Sequence, residues 1–291
     1  MSQDDPATAA TVAPALDVAP RLGAALLGSE LRVLFRRTRT IAMLGALAAI
    51  PVLLAVAVKI TTRGDSGRGP AFLGQITQNG LFVALTSLVV AIPLFLPLTV
   101  GVVAGDTIAG EASLGTLRYL LVTPAGRVRL LVVKYIGAAA FCVAGTLVII
   151  VFGALIGALL FPVGPVTLLS GDTVGFADYA GRMLLMALYV TISLLGLSAI
   201  GLFISTLTSV PVGAMAATIV LSTVSQIIGQ LPQLAFLQPF LFTNYWLGFA
   251  DFLRSPISFD NFTSNAVLQL GYVIVFGFLA FGRFTTKDIL S

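Results

Sequence analysis

A chain of 291 residues that is 58% hydrophobic and only 10% charged, with a mean hydropathy of +1.04, lies outside the soluble class, whose domains carry roughly 25% charged residues. Its formal net charge of +4 is read as a record of membrane topology, not of a nucleic-acid partner. A single cysteine, Cys142, leaves no intrachain disulfide to form, and the absence of histidine removes the commonest general base and metal ligand.

Residues 1–20 are rich in Ala, Pro, Thr and Asp without periodicity, and are expected to form a disordered cytoplasmic tail. Their acidic start, with the first long apolar run only at Ile41, does not fit a cleaved signal peptide. The remainder, residues 21–291, reads as a single transmembrane domain. In residues 21–40 an apolar stripe of Leu22, Leu26, Leu27, Leu31, Leu34 and Phe35 opposes Glu30, Arg32, Arg36, Arg37 and Arg39. That pattern predicts an amphipathic helix lying among the lipid headgroups.

A membrane span needs about 20 apolar residues. Runs of this kind occur at residues 41–58, 81–104, 135–160, 183–207, 210–230 and 266–281, which predicts an all-α bundle of six spans. Arg21, Arg32, Arg36, Arg37, Arg39, Arg118, Arg127, Arg129, Lys134, Arg283 and Lys287 fall on one side if both termini are cytoplasmic. Lys59, Arg63, Arg68, Arg182 and Arg254 fall on the other. The bias places both ends inside, in a multi-pass protein of the cytoplasmic membrane, and the Ala, Val and Gly richness is compatible with a bacterial source. The STLTSVP turn between spans four and five predicts a tight hairpin with Pro211 at a helix start. The aromatic stretch 231–265, broken by Pro232, Pro239 and Pro256, reads as a re-entrant or interfacial helix pair, with a seventh span as the alternative. Two glycine pairs, Gly101/Gly105 and Gly153/Gly157, match the small-xxx-small packing pattern that serves helix dimers.

The span cores contain no Asp, Glu, Lys or Arg, which argues against a self-powered carrier with a buried ionisable relay. They also lack a carboxylate pair, a metal constellation or a serine with an evident base, so no catalytic or metal-binding residue is assigned. A GxxxxGK[ST] loop is missing too, so no nucleotide is expected to bind this chain by that route.

The segment 105–134, GDTIAGEASLGTLRYLLVTPAGRVRLLVVK, mixes charge with a helical apolar pattern between the second and third spans. It predicts a short amphipathic helix carrying Glu111, Gly115 and Arg118 on one side, with Leu114, Leu117, Leu120 and Leu121 on another. Thr123 and Pro124 then open a second helix. The order Asp106, Glu111, Gly115-Thr116-Leu117, Leu120-Leu121, Pro124, Arg127, Lys134 resembles the elbow of the permease subunit of type-two ABC exporters. Gly126 stands where such permeases often have a serine.

That resemblance implies a dimer of two permeases, identical or not, working with a separate cytoplasmic ABC ATPase that binds ATP and Mg. It implies no cofactor in this chain and no enzymatic activity of its own. The elbow would dock as a coupling helix into the ATPase through Asp106, Glu111, Gly115, Thr116, Leu117, Pro124, Arg127 and Lys134. Glu111 would face the ATPase, Gly115 would permit close helix approach, and Arg127 and Lys134 would sit at the headgroups. Membrane lipids would surround the spans, and the uncharged cores predict a hydrophobic or amphipathic cargo moved outward. The alternatives from other classes are a subunit that transmits ATPase motion to an extracytoplasmic partner without moving cargo, and a membrane-embedded lipid-processing enzyme.

Overall fold

The computed structural model describes residues 19–64, 76–115, 127–168 and 170–286. The expected tail 1–18, Arg68, Lys287 and the central Thr116, Leu117, Arg118, Leu120, Leu121, Pro124 and Gly126 lie outside the described residues, as do the side chains of Arg21, Arg63 and Arg127.

The architecture is almost wholly helical. α1 (Ala19–Arg36) is the amphipathic helix, with Leu26, Leu27, Leu31, Leu34 and Phe35 half-buried and Arg32 and Arg36 exposed. A bend at Arg37 leads into α2 (Thr38–Gly64). α3 (Phe82–Ala91) and α4 (Phe95–Ser113) follow, then the 34-residue α5 (Arg127–Leu160). A two-stranded ribbon, β1 (Val166–Thr167) against β2 (Thr173–Val174), precedes α6 (Phe176–Leu207). α7 (Pro211–Gly229) and α8 (Asp260–Thr286) complete the fold. Six of these helices, α2 and α4 to α8, are long and apolar enough to cross a membrane. They run up and down, so the α1–α2 junction, the α4–α5 elbow, the α6–α7 turn and the end of α8 share one end of the bundle, here the near end.

The helices outrun the apolar runs. α5 begins eight residues before the run at 135, and α6 begins seven before the run at 183. Backbone hydrogen bonding continues a helix through the headgroup region, while a hydropathy reading stops where charge begins. The α6–α7 turn is as tight as expected, with Pro211 in the first turn and Thr208 Oγ1 accepting from Val210 N at 3.0 Å.

Two expectations are corrected. The run 81–104 is not one helix: it breaks at residues 92–94 into α3, which packs on α2 and α5, and α4, which packs on α6 and α7. Pro93 and Pro97 each lack the N–H that a continuous helix would need. Segment 231–259 is not a helix pair either. It folds as three 3-10 turns, Pro232–Leu234, which meets α7, Gln238–Phe240, and Gly248–Leu253, which lies between α6 and α8.

Side chains close the irregular backbone of that segment. Tyr272 Oη donates to Phe240 O at 2.8 Å, Gln269 Nε2 to Phe242 O at 2.7 Å and Tyr189 Oη to Tyr245 O at 2.6 Å. Arg182 donates to Phe252 O and Arg254 O, and Trp246 Nε1 to Ser193 O at 3.0 Å. From Asp260 to Tyr272 is twelve residues, so the segment dips about 18 Å along α8 at 1.5 Å per residue.

The glycine pairs are occupied inside the chain and are not free for a dimer face. A Cβ at Gly105 would lie 2.8 Å from Met215 N of α7, and one at Gly101 would lie 3.0 Å from Ile219 Cγ1. Gly153 faces Ala84 Cα at 2.5 Å, and Gly157 abuts the backbone of Gly80. Close backbone approach lets van der Waals contact, the main attraction between helices in lipid, act over more atoms. Gly105→Ala should therefore lower the thermal midpoint of the detergent-solubilised protein by the equivalent of about 1–3 kcal/mol of overpacking. Gly45→Ala, with open space around it, should hold or raise the midpoint. Equal midpoints for the two variants would contradict this packing.

Candidate functional site

Charge is scarce in this chain, so where it gathers is informative. At the near end six ionisable side chains from four helices form one group. Lys134 of α5 is only 4% exposed, and its Nζ donates to Glu30 Oε1 of α1 at 2.9 Å and to Glu111 Oε1 of α4 at 3.0 Å. Arg39 Nη2 at the start of α2 donates to Asp106 Oδ2 at 2.7 Å. Arg37 Nη1 reaches the same oxygen at 3.3 Å, and its Nη2 lies 4.0 Å from Glu111 Oε1. Three cations face three carboxylates, so the group is formally neutral.

Local sequence explains the placement. Asp106 and Glu111 are five residues apart on α4, about 140° around its axis, so Asp106 reaches Arg37 and Arg39 at the α1–α2 bend while Glu111 reaches Lys134 of α5. Gly110 leaves room for Asp106: a Cβ there would fall 2.7 Å from Oδ1. Gly137, one turn after Lys134, faces Glu30 and Leu34 of α1, where a Cβ would make ordinary contact with Glu30 Cγ at 3.7 Å. Beneath the charges, Ile108, Leu131, Leu202, Ala280 and Phe284 form an apolar floor. Ser205 Oγ of α6 accepts from the backbone N–H of Ile108 and Ala109 at 2.9 and 2.8 Å, which ties α6 to the same turn of α4.

The expected site residues divide three ways. Asp106, Glu111 and Lys134 come together, joined by Arg37 and Arg39 from the amphipathic segment. Within the chain Glu111 meets Lys134 at 3.0 Å, and the Lys134 side chain is buried against protein. Gly115 ends α4 with φ +70, a left-handed helix terminator with no described atom within 4 Å of a Cβ. Beside it Leu114 is 74% exposed. Thr116, Leu117 and Pro124 lie outside the described residues, and Arg127 opens α5. Arg32 and Arg36 stay on the exposed side of α1.

Sequence reading missed the role of Glu30, which looked like one more polar-face residue of α1. A lysine followed by the apolar run YIGAAAFC was the available signal, because a cation at that depth needs a carboxylate. It also missed a polar seam deeper in the bundle, where Asn265 Nδ2 donates to Ser193 Oγ at 2.8 Å and Gln269 Nε2 contacts Asn265 Oδ1 at 3.2 Å.

Chemically the near-end cluster is a brace that joins four elements. Every described cation in it is paired, and no group of three or more His, Cys, Asp or Glu that could hold a metal occurs among the described residues. A second feature lies beside it, an apolar groove of about 280 Å³ between α5 and α8 with α6 as its floor. Its walls include Val128, Val132, Tyr135, Ile274, Phe278 and Phe281, and the Tyr135 hydroxyl is already donated to Leu195 O at 3.2 Å.

Replacing Lys134 with Met should destabilise the chain by about 2–3 kcal/mol, somewhat below the ~3–5 kcal/mol of a fully buried pair, because Glu30 and Glu111 keep some contact with water. The triple variant Glu30→Gln, Glu111→Gln, Lys134→Met should recover most of that loss. Thermal unfolding in detergent checks both, and additive losses across the three sites would rule out the pairing.

A family model described as "Protein of unknown function (DUF2705)" matches residues 52–290. No curated protein matches the sequence.

Proposed function

We propose that this chain, which belongs to the DUF2705 family, is the membrane subunit of an ATP-driven exporter of the type-two ABC kind, paired with a second permease and a separate ATPase. The observation that carries the reading is the braced elbow. α4 ends and α5 begins at the near end, and the ion-pair cluster ties both helices to α1 and α2. A force applied there by a partner would reach four helices at once without bending the elbow's own supports. Exposed Leu114, at the edge of the elbow, offers such a partner an apolar contact.

The charged residues expected to touch the ATPase take a different role in this proposal. Asp106, Glu111 and Lys134 are positioning residues that hold the elbow, and contact falls to Leu114 and the residues that follow it. The apolar groove, which offers an occupant no free polar group, favours a hydrophobic or amphipathic cargo.

The test is co-purification with a soluble chain that carries a GxxxxGK[ST] loop and is encoded beside this one. Wild type should retain that ATPase, while Leu114→Arg should release it without altering the elution profile of the permease. Failure of wild type to retain any such ATPase would refute the reading. A second expectation concerns cargo: Gly277→Phe, which projects a ring into the open groove, should leave ATPase retention intact and cut ATP-dependent uptake of a lipophilic dye by inverted vesicles several-fold.

A further inference from the structure

We infer that residues 92–94 form a joint in the second span, and that Gln226 of α7 is the positioning residue that latches it. The argument begins with spacing. In a continuous helix the carbonyl of Pro93 would accept from the N–H of residue 97, but residue 97 is also proline and has none. The ladder stops at Ile92 N to Leu88 O, 2.9 Å, and resumes at Leu98 N to Leu94 O, 3.0 Å. The Pro93 carbonyl is left without a backbone donor in apolar surroundings. Gln226 Nε2 supplies one at 2.8 Å while also reaching Ser222 O of its own helix at 3.4 Å.

The packing on the two sides of the break makes it a joint and not merely a kink. α3 is locked to α5 through Ala84 against Gly153 and Gly80 against Gly157. α4 is locked to α7 through Gly101 and Gly105, and to α6 where a Cβ at Gly201 would meet Ala104 Cβ at 2.8 Å. α3 and α4 scarcely touch each other. The second span therefore divides its packing, α3 against α2 and α5 and α4 chiefly against α6 and α7 with α5 reached through the Glu111–Lys134 pair, and three non-helical residues link the two parts. The Gln226 amide is a cross-brace at that point, reversible because it can fall back on Ser222 O alone.

On the exporter reading above, this joint would let a force at the near end change the angle between α4 and α3 while the ion pairs keep the end of α4 on α5. The joint itself is tested on the chain alone, without ATPase or cargo, so its failure and the failure of that reading are separable. Spin labels at Val90→Cys on α3 and Ser113→Cys on α4, in a Cys142→Ser background, span 23 residues, about 35 Å along a continuous helix.

In reconstituted protein the otherwise native chain should give one narrow distance distribution. Gln226→Leu should broaden it or add a second population. Pro97→Ala restores an N–H opposite the Pro93 carbonyl, so Pro97→Ala with Gln226→Leu should return a single narrow distribution. Peptide-level hydrogen exchange over residues 94–102 should rise in Gln226→Leu and fall back in the double variant. An unchanged distribution in Gln226→Leu, or no rescue by Pro97→Ala, overturns the proposal.

Discussion

A protein interior set in hydrocarbon has no water to satisfy a stray backbone carbonyl, and the described architecture follows from that constraint. At two described places where the helical ladder fails, side chains from neighbouring helices take its place. Gln226 does so at the Pro93 break, and Tyr189, Gln269, Tyr272 and Arg182 do so along the aromatic segment 231–259. These contacts also define the tertiary arrangement, since each joins elements distant in sequence. At Pro93 the chain departs from helix, whereas Pro51 lies inside unbroken α2, and long-range donors set where the departing backbone comes to rest.

The same logic governs charge. Lys134 sits at a depth where an unpaired ammonium would be costly, and two carboxylates from different helices meet it. Asp106 draws Arg37 and Arg39 to the start of α2, so α1, α2, α4 and α5 converge on one neutral cluster. The elbow is anchored by this convergence on both of its flanks. Deep in the bundle, by contrast, the polar seam of Ser193, Asn265 and Gln269 carries no formal charge, and it joins α6 to α8 through amides and a hydroxyl. The two ends of the molecule are therefore held by different chemistry: ion pairs at the near end, and side chain to backbone hydrogen bonds where the aromatic segment folds in.

Small residues supply the third element. Gly101, Gly105, Gly153 and Gly157 are spent on contacts within the chain, which leaves the lipid-facing surfaces to larger side chains such as Val220, Val267 and Phe278. The motif alone could not distinguish packing within one chain from packing between two, because both ask the same thing of a helix face. The broken second span depends on this packing, since α3 and α4 are each held by glycine contacts to a different neighbour.

The sequence by itself determined the all-α class, the number of spans, the amphipathic first helix and the tight α6–α7 turn. These follow from local composition and periodicity: apolar length sets a span, alternation of faces sets an amphipathic helix, and a proline marks a helix start. Only the tertiary structure decided that Lys134 pairs with Glu30 and Glu111, that Glu111 turns inward, that Gly115 ends a helix and that Gln226 closes the break in the second span. Each of these depends on which partner lies across the bundle, 23 residues away for Glu111 and Lys134 and 133 for Gln226 and Pro93. Periodicity reports only which face of a helix is apolar. The partner is chosen where helices cross, and that is a property of the packed whole.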